Sequence, residues 1–224
     1  MKNIITLLTL VFINLQLSCA VANNEVPPSL DKSNFEGFNI QADKTLLTGY
    51  EYTIGRRQNI EFETCEQALK HDISKIPEFE YFRFKLLLTS CIAVSRFKNF
   101  KPSQQTFFSS SLSKSDIKSF PALTTPYLSK TEYSNRKNKT IKDAYKKITI
   151  SFEKNGTKLL TKDDEIYIHI LGKGDFNNDK IEDLLVSSEW YARHAHGNHT
   201  DLVILSKTSK DTPVTIQWRL NKPK

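Results

Sequence analysis

Apolar residues near the middle of the first half of the chain recur at helical spacing. The long run from Glu78 to Phe97 places its larger side chains on one helical face: Tyr81, Phe84, Leu88, Cys91 and Ile92. Pro77 precedes this run and Pro102 follows it, which favours a helix bounded by the two prolines. A shorter helix is predicted from Cys65 to about Lys70, with Thr64 as its N-cap residue.

The C-terminal part of the chain has the alternating pattern of β-strands. Ile148, Ile150 and Phe152 alternate with polar residues, and Asn155-Gly156 is a strong hairpin turn. Further apolar runs cover residues 166–171, 184–190, 202–205 and 214–218. Their spacing predicts successive antiparallel hairpins, and therefore a β-meander.

The remaining segments are less regular. Residues 35–62 suggest one or two strands, whereas 102–143 are polar, basic and interrupted by Pro121 and Pro126. We expect this second segment to be a surface excursion or linker. The predicted fold class is α+β: an N-terminal helical half, about 64–101, joined to a C-terminal antiparallel β-meander, 144–220, in one domain covering 35–224.

The N-terminus has the features of a secretory signal peptide. Lys2 precedes a mostly apolar run, and Ala20-Val21-Ala22 is a small-x-small cleavage site, so residues 1–22 are predicted to be removed and 23–34 to form a flexible leader. Leu17-Ser18-Cys19 suggests the alternative of a lipoprotein acylated on Cys19. The protein is thus expected to be periplasmic or secreted, or else an outer-membrane lipoprotein, with no transmembrane span after processing.

Composition extends this picture to partners. The chain of 224 residues has a formal net charge of +7, spread over several basic clusters. A surface of this kind could bind an acidic protein or an anionic envelope polymer. Nucleic acid is not expected as a partner, because the chain is predicted to be exported and has no recognisable nucleic-acid-binding module.

Two cysteines remain beyond the signal peptide, Cys65 and Cys91. Two thiols in an oxidising compartment usually pair, and the predicted helices place one cysteine on each. A disulfide between them is therefore expected, with two buried free thiols as the alternative.

The most informative motif is an Asp-rich loop between two predicted strands. Oxygen-bearing side chains stand at alternate positions, Asp175, Asn177 and Asp179, followed by Asp183, and Ile181 offers its carbonyl. Calcium takes 6–8 oxygen ligands, and a tight loop supplies them most easily from every second residue. The alternative is an Asx-rich hairpin turn without a metal.

Residues 174–186 resemble the calcium loop of FG-GAP and VCBS repeats, whose usual form is G-D-F-N-G-D-G-x-x-D-L-x-V. Asn178 and Lys180 stand where that pattern has glycine, so the resemblance implies either weaker calcium binding or a loop held partly by its own hydrogen bonds. The chain carries a single copy, whereas a β-propeller needs several blades. The general arrangement also resembles small exported bacterial proteins of unassigned function, which implies no activity.

Other candidate chemistry is weaker. His194, His196 and His199 form H-x-H-x-x-H in a strand connection and could bind a transition metal, but no carboxylate or cysteine at ordinary spacing completes a ligand set, which favours a polar hairpin tip. Catalytic-triad, nucleophile-elbow and phosphate-loop patterns are absent from the sequence. Trp190-Tyr191 and Trp218 could contact a sugar or a protein, or pack in the core.

These observations together predict a non-enzymatic exported binding protein with a structural calcium site, and an antagonist or immunity-type role is one version of it. The alternative is a metal-assisted hydrolase that acts on an envelope polymer.

Overall fold

A computed structural model describes residues 25–54 and 58–222 of the chain. The predicted signal peptide and the candidate acylation site Cys19 lie outside the described residues, as do the first two residues of the predicted leader.

One antiparallel sheet dominates the molecule, and two small hairpins accompany it. The strands are β1 (Ser29–Leu30), β2 (Phe38–Ile40), β3 (Thr45–Leu47), β4 (Glu51–Ile54), β5 (Gln58–Glu61), β6 (Thr149–Glu153), β7 (Gly156–Leu160), β8 (Asp164–Gly174), β9 (Asp183–Ala192), β10 (Asn198–Ser206) and β11 (Thr215–Arg219). The main sheet has the order β11-β10-β9-β8-β7-β6, with β1 paired to β8, while β2–β3 and β4–β5 form separate pairs.

The helices are fewer and mostly short. They are α1 (Cys65–Lys70), α2 (Glu78–Phe97), α3 (Lys114–Ser119), α4 (Lys130–Arg136) and α5 (Ile141–Ala144), with 3₁₀ turns at Lys32–Asn34, Ile73–Lys75 and Ala122–Thr124. No helix within the described ranges combines the length and the hydropathy that crossing a bilayer requires.

The main sheet is buried on both faces, because consecutive residues of its central strands enter different cores. Leu184 and Val186 of β9 belong to one apolar cluster, whereas Leu185 between them belongs to another. Side chains alternate across a strand, so the unbroken run Leu184-Leu185-Val186 serves two layers. Helix α2 covers the Leu185 face, and residues from 108–145 cover the Leu184 face.

The fold-class prediction of an N-terminal helical half joined to a β-meander is wrong. The structure is mainly an antiparallel β-sheet of seven strands with few, short helices. The N-terminal part contributes five short strands, and α2 is its single long helix. The strands β2 to β5 have only three or four residues each, which is too short for a clear alternating signal.

The leader prediction also differs from the structure in the part that is described. Ser29 and Leu30 pair with Lys173 and Gly172 of β8, and Val26 bridges to Ser103. Gly172 permits this close approach, because a Cβ at that position would lie 3.0 Å from both the Ser29 carbonyl oxygen and the Phe97 ring. The short strand β1 is thus held by the sheet and by the end of α2 rather than being free.

Residues 102–143, expected to be a surface excursion, contribute to the core. Phe108, Ile117, Phe120 and Ile141 are buried against the main sheet. Ile117 and Phe120 lie at the short helix α3 and Ile141 begins α5, and the N-cap residues of these helices, Ser113 and Thr140, both form capping boxes, whereas Phe108 lies outside any helix. A segment of short turns has no long period for the sequence pattern to reveal.

Helices α1 and α2 are joined by a disulfide between Cys65 and Cys91, with an S–S distance of 2.04 Å. Helix α1 begins after Thr64, whose side chain and that of Gln67 form a capping box. Around the disulfide, Tyr52, Phe62 and Phe84 make a third apolar cluster under the small hairpins.

Candidate functional site

The Asp-rich loop connects β8 and β9, as its flanking apolar runs predicted. Asn178 and Lys180 both have left-handed backbones, with φ of 63° and 67°. These are the two positions where the FG-GAP pattern has glycine. The loop therefore adopts the backbone that glycine favours, with side chains that adopt it at a cost.

Hydrogen bonds within the loop compensate for part of that cost. The carboxylate of Asp175, which is 2% exposed, accepts from the backbone N–H groups of Asn178 at 2.7 Å, Asp179 at 3.2 Å and Lys180 at 2.8 Å. One buried side chain thus organises three consecutive residues of the turn.

The exposed half of the loop has its own hydrogen bonds. Asn177 Oδ1 accepts from the N–H of Asp179, Asp179 Oδ1 accepts from the N–H of Ile181, and the Asn177 amide donates to Asp179 Oδ2. The Lys180 carbonyl accepts from the N–H groups of Gln104 and Gln105, which brace the loop from outside.

Asp183 differs from the other three side chains because one of its oxygens is unused. It is fully buried; its Oδ2 accepts from the Phe176 N–H at 3.0 Å, while Oδ1 has no hydrogen-bond partner among the described residues. Burial raises the pKa of Asp183 to about 6, and repulsion from the carboxylates of Asp179 and Asp175 adds to this, whereas the neighbouring Ser206 hydroxyl and the Phe176 N–H act to lower it.

The donor set of the loop fits a hard cation in part. A buried, unpartnered carboxylate oxygen beside two further carboxylates is the environment that a bound cation stabilises. Against this, all five side-chain oxygens of Asp175, Asn177 and Asp179 already accept backbone or amide N–H groups. Across the described part of the chain, no group of three or more His, Cys, Asp or Glu side chains has the arrangement of a metal site.

The three histidines do not form a compact cluster. His194 and His196 are exposed in the connection after β9, whereas His199 lies in β10 opposite Trp190. Burial lowers the pKa of His199, and the nearby Lys85 ammonium lowers it further.

A concave surface lies along β11, the edge strand at the end of the main sheet opposite to β6. This groove of about 800 Å³ runs between β11 and the segment 119–140. Its lining residues are Ser119, Pro121, Leu123, Tyr133, Arg136, Lys137, Asn138, Lys139, Thr140, Pro213, Val214, Thr215, Ile216, Gln217, Trp218, Arg219 and Lys222. No aspartate or glutamate occurs among these described residues, and five of them are basic. We call it the basic groove.

No protein-family model, no curated protein and no solved structure gives a significant match to this chain. The features described above must therefore carry the functional argument by themselves.

Sequence reasoning missed the basic groove as a site. The charged run from Arg136 to Lys142 was visible, but only the fold brings it to face β11, about 80 residues later in the chain. Trp218 lines the groove, and it also packs against an apolar cluster, with the Arg96 guanidinium carbon 4.3 Å from the centre of its ring. Trp190 instead packs against the core and donates its indole N–H to Asp164 at 2.8 Å.

Proposed function

We propose that the protein is an exported, non-enzymatic binding protein, and that its basic groove holds an extended acidic segment of a protein partner. The observation that carries the proposal is a groove of about 800 Å³ whose lining has both basic and apolar side chains and no described acidic residue. Such a site complements negative charge and apolar surface together.

Three lysines supply the available charge. Lys137, Lys139 and Lys222 are exposed and make no ion pair with the described residues. The two arginines of the lining are already engaged: Arg219 pairs with Asp201, and Arg136 donates to the Pro126 carbonyl at 2.6 Å. A ligand anion would therefore meet the lysines at the rim of the groove.

The open edge of β11 favours a polypeptide over a glycan or a polyphosphate. On its outer side, β11 pairs with none of the strands in the described ranges. An extended peptide can add to such an edge through main-chain hydrogen bonds, while its side chains enter the neighbouring groove. Lysines beside an edge strand also repel a second copy of the same basic edge, which leaves an acidic partner as the complementary one.

The test uses the mature chain and a ten-residue peptide of alternating glutamate and valine. We expect saturable binding that weakens with salt, because the lysines contribute screened electrostatic attraction. Reversing two charges with Lys137→Glu/Lys139→Glu should weaken binding about tenfold or more. The matched control is Lys146→Glu/Lys147→Glu, which makes the same charge change at exposed residues outside the groove and should have little effect.

Backbone pairing is tested separately with two N-methylated versions of the peptide. Methylation of alternate residues removes the N–H donors along one edge of the peptide, so one version should bind and the other should not. Equal binding of both versions, with displacement by polyphosphate, would instead support a site for anionic polymers. Equal loss of affinity in the two lysine variants would contradict the groove assignment altogether.

We further propose that the Asp-rich loop binds calcium as a structural ion through Asp175, Asn177, Asp179, Asp183 and the Ile181 carbonyl. Calcium would neutralise the buried Asp183 and hold the turn compact. The support is the unpartnered Asp183 oxygen together with the left-handed backbones at 178 and 180.

Calcium should then stabilise the fold by RT ln(1 + [Ca]/Kd), about 2.7 kcal/mol at a hundredfold excess over Kd. Magnesium should do less, because it demands a stricter octahedron. Asp179→Ala should abolish most of the calcium effect. Equal melting temperatures in EDTA and in millimolar calcium would leave the loop as an Asx-rich turn held by its own hydrogen bonds.

A further inference from the structure

A second concave surface lies on the face of the main sheet that α2 covers only in part. It is a shallow pocket of about 390 Å³ lined by Glu165, Tyr167, His169, Glu189 and Tyr191. All five side chains are half-buried. Together with Phe82 of α2, we call this surface the aromatic corner.

Strand register assembles the corner from residues that are far apart in sequence. Glu165 of β8 is paired with Tyr191 of β9, and Tyr167 with Glu189, so acidic and aromatic side chains alternate on one face. The Tyr167 and Tyr191 rings meet at 85° with centroids 6.0 Å apart, and Phe82 meets Tyr191 at 83° and 5.5 Å. The corner thus has perpendicular aromatic walls with a carboxylate at each tyrosine.

One half of the corner already holds a cation of the chain itself. The Lys158 ammonium lies 2.7 Å from Glu165 Oε1 and 5.3 Å from the centre of the Tyr167 ring. The pairing with Glu165 raises the pKa of Lys158 to about 12. An ammonium held by one carboxylate and one ring is therefore a stable occupant of this surface.

The other half has the same chemistry and lacks that cation. Tyr191 donates its hydroxyl to Glu189 Oε2 at 2.6 Å. Among the described residues, Glu189 Oε1 has one basic nitrogen within 4 Å, His169 Nε2 at 3.7 Å. No lysine or arginine in the described ranges lies over the Tyr191 or Phe82 ring. Arg193, the basic residue that follows β9, is instead directed to the carbonyls of Thr161 and Lys162.

The charge of the corner also favours a positive ligand. Lys158 pairs with Glu165, and the Arg193 charge also acts on Glu165, whereas Glu189 has no lysine or arginine partner among the described residues of a chain whose net charge is +7. Aromatic faces attract cations through their quadrupoles, most strongly where part of the hydration shell is removed. A neutral sugar would use the rings but would leave the second carboxylate without an opposite charge.

We propose that the half of the aromatic corner formed by Glu189, Tyr191 and Phe82 is a binding site for an organic ammonium ion. The ligand would place its cationic head against the Tyr191 and Phe82 rings, with Glu189 Oε1 as its counter-ion. This site is separate from the basic groove, and neither proposal depends on the other.

The probe is choline, compared with 3,3-dimethylbutan-1-ol, which has the same shape without the charge. At pH 8, above the range in which histidine ordinarily titrates, the choline N-methyl protons should move upfield and saturate in the millimolar range. Ring currents of the flanking aromatics cause that shift. The neutral analogue should bind about fivefold more weakly or not at all, in keeping with a cation–π contribution of about 1 kcal/mol.

Glu189→Gln should weaken choline binding about fivefold, and Tyr191→Leu should abolish the upfield shift. The matched control is Glu153→Gln, the same change at an exposed strand residue outside the pocket. A ¹H–¹⁵N spectrum of each variant checks that the fold is retained; if Tyr191→Leu fails that check, Glu189→Gln decides. Equal affinities for choline and its neutral analogue, equal effects of the two glutamate variants, or no choline shift at tens of millimolar would each overturn the proposal.

Discussion

Asp183 is the residue whose environment departs most from what its sequence position indicates. It was expected to be one of several equivalent oxygen ligands, but it is the one with a fully buried side chain and an unused oxygen. It begins β9 directly under the loop, so the sheet, and not the loop, determines its burial. Its neighbours Asp175 and Asp179 reach the same region from the other strand end.

The raised pKa of Asp183 predicts a pH-dependent stability of the calcium-free protein. A carboxyl that titrates near 3.9 when unfolded and at about 6 when folded binds its proton more tightly in the native state. Stability should therefore fall as the pH rises through the window from about 4 to about 6. Asp183→Asn should remove this loss and stabilise the protein in EDTA at pH 7 by about 1–2 kcal/mol. The full pKa shift of Asp183 corresponds to roughly 3 kcal/mol, and we expect less than that because water screens the charges of the loop.

Urea denaturation of both proteins at pH 4 and pH 7 measures the effect. The difference between wild type and Asp183→Asn should nearly vanish at pH 4, where the folded carboxyl is already protonated. A constant difference at the two pH values would show that folding does not raise the pKa of Asp183. The same variant should also lose the stabilisation by calcium. The pH dependence in EDTA and the calcium effect, which both depend on Asp183, are thus measured separately.

At the scale of elements, the loop between β8 and β9 combines a strained backbone with dense hydrogen bonding. Lys180 has a φ of 67°, a region that glycine occupies without strain. Lys180→Gly should therefore raise stability in EDTA by up to about 1 kcal/mol, and it should also tighten calcium binding. The control Lys180→Ala removes the charge but keeps the strain. If both variants tighten calcium binding equally, charge alone is responsible.

The disulfide between α1 and α2 is the second element-scale constraint. Chain-entropy arguments give about 3 kcal/mol for closing a loop of this length. The double variant Cys65→Ala/Cys91→Ala should lose about that much free energy of unfolding. Reduced wild type should lie close to the double variant in urea denaturation. Two reactive thiols in denatured, unreduced protein would contradict the disulfide.

For the whole molecule, one buried side chain, Arg219, fastens the β11 edge to the segment on the other side of the basic groove and also forms an ion pair within the sheet. Arg219, 8% exposed, pairs with Asp201, 1% exposed, and also donates to the carbonyls of Leu123 and Thr125. Burial acts to raise the pKa of Asp201, and the Arg219 guanidinium opposes that effect. The pair thus connects two strands of the sheet to residues almost a hundred positions earlier.

Removing one partner of this pair should be costly. Arg219→Met would leave the Asp201 carboxylate buried without its counter-ion, and we expect a loss of about 3–5 kcal/mol in the free energy of unfolding. The double variant Arg219→Met/Asp201→Asn should recover much of it, because no uncompensated charge remains. Additive losses in urea denaturation would contradict this coupling.

The double variant also tests the basic groove, since partial loosening of residues 121–126 should weaken the binding of the acidic peptide.

Sequence alone determined the features that depend on neighbours within a few residues. The α1 and α2 helices, the β6–β7 hairpin at Asn155-Gly156 and the position of the Asp-rich loop between two strands all follow from local periodicity, turn residues and capping. Such signals lie within windows of about 10–20 residues and need no knowledge of distant contacts.

Tertiary structure alone decided which surfaces exist. Ser29 and Leu30 can pair with β8 because Gly172 leaves room for them. Residues 108–141 belong to the core because their apolar side chains meet a face of the main sheet. The basic groove and the aromatic corner are likewise made by residues from separate segments. Hydrogen bonds from Arg219 to the Leu123 and Thr125 carbonyls join them in the first case, and strand register joins them in the second. Long-range packing and pairing set these contacts, and no local pattern encodes which distant partner a residue will have.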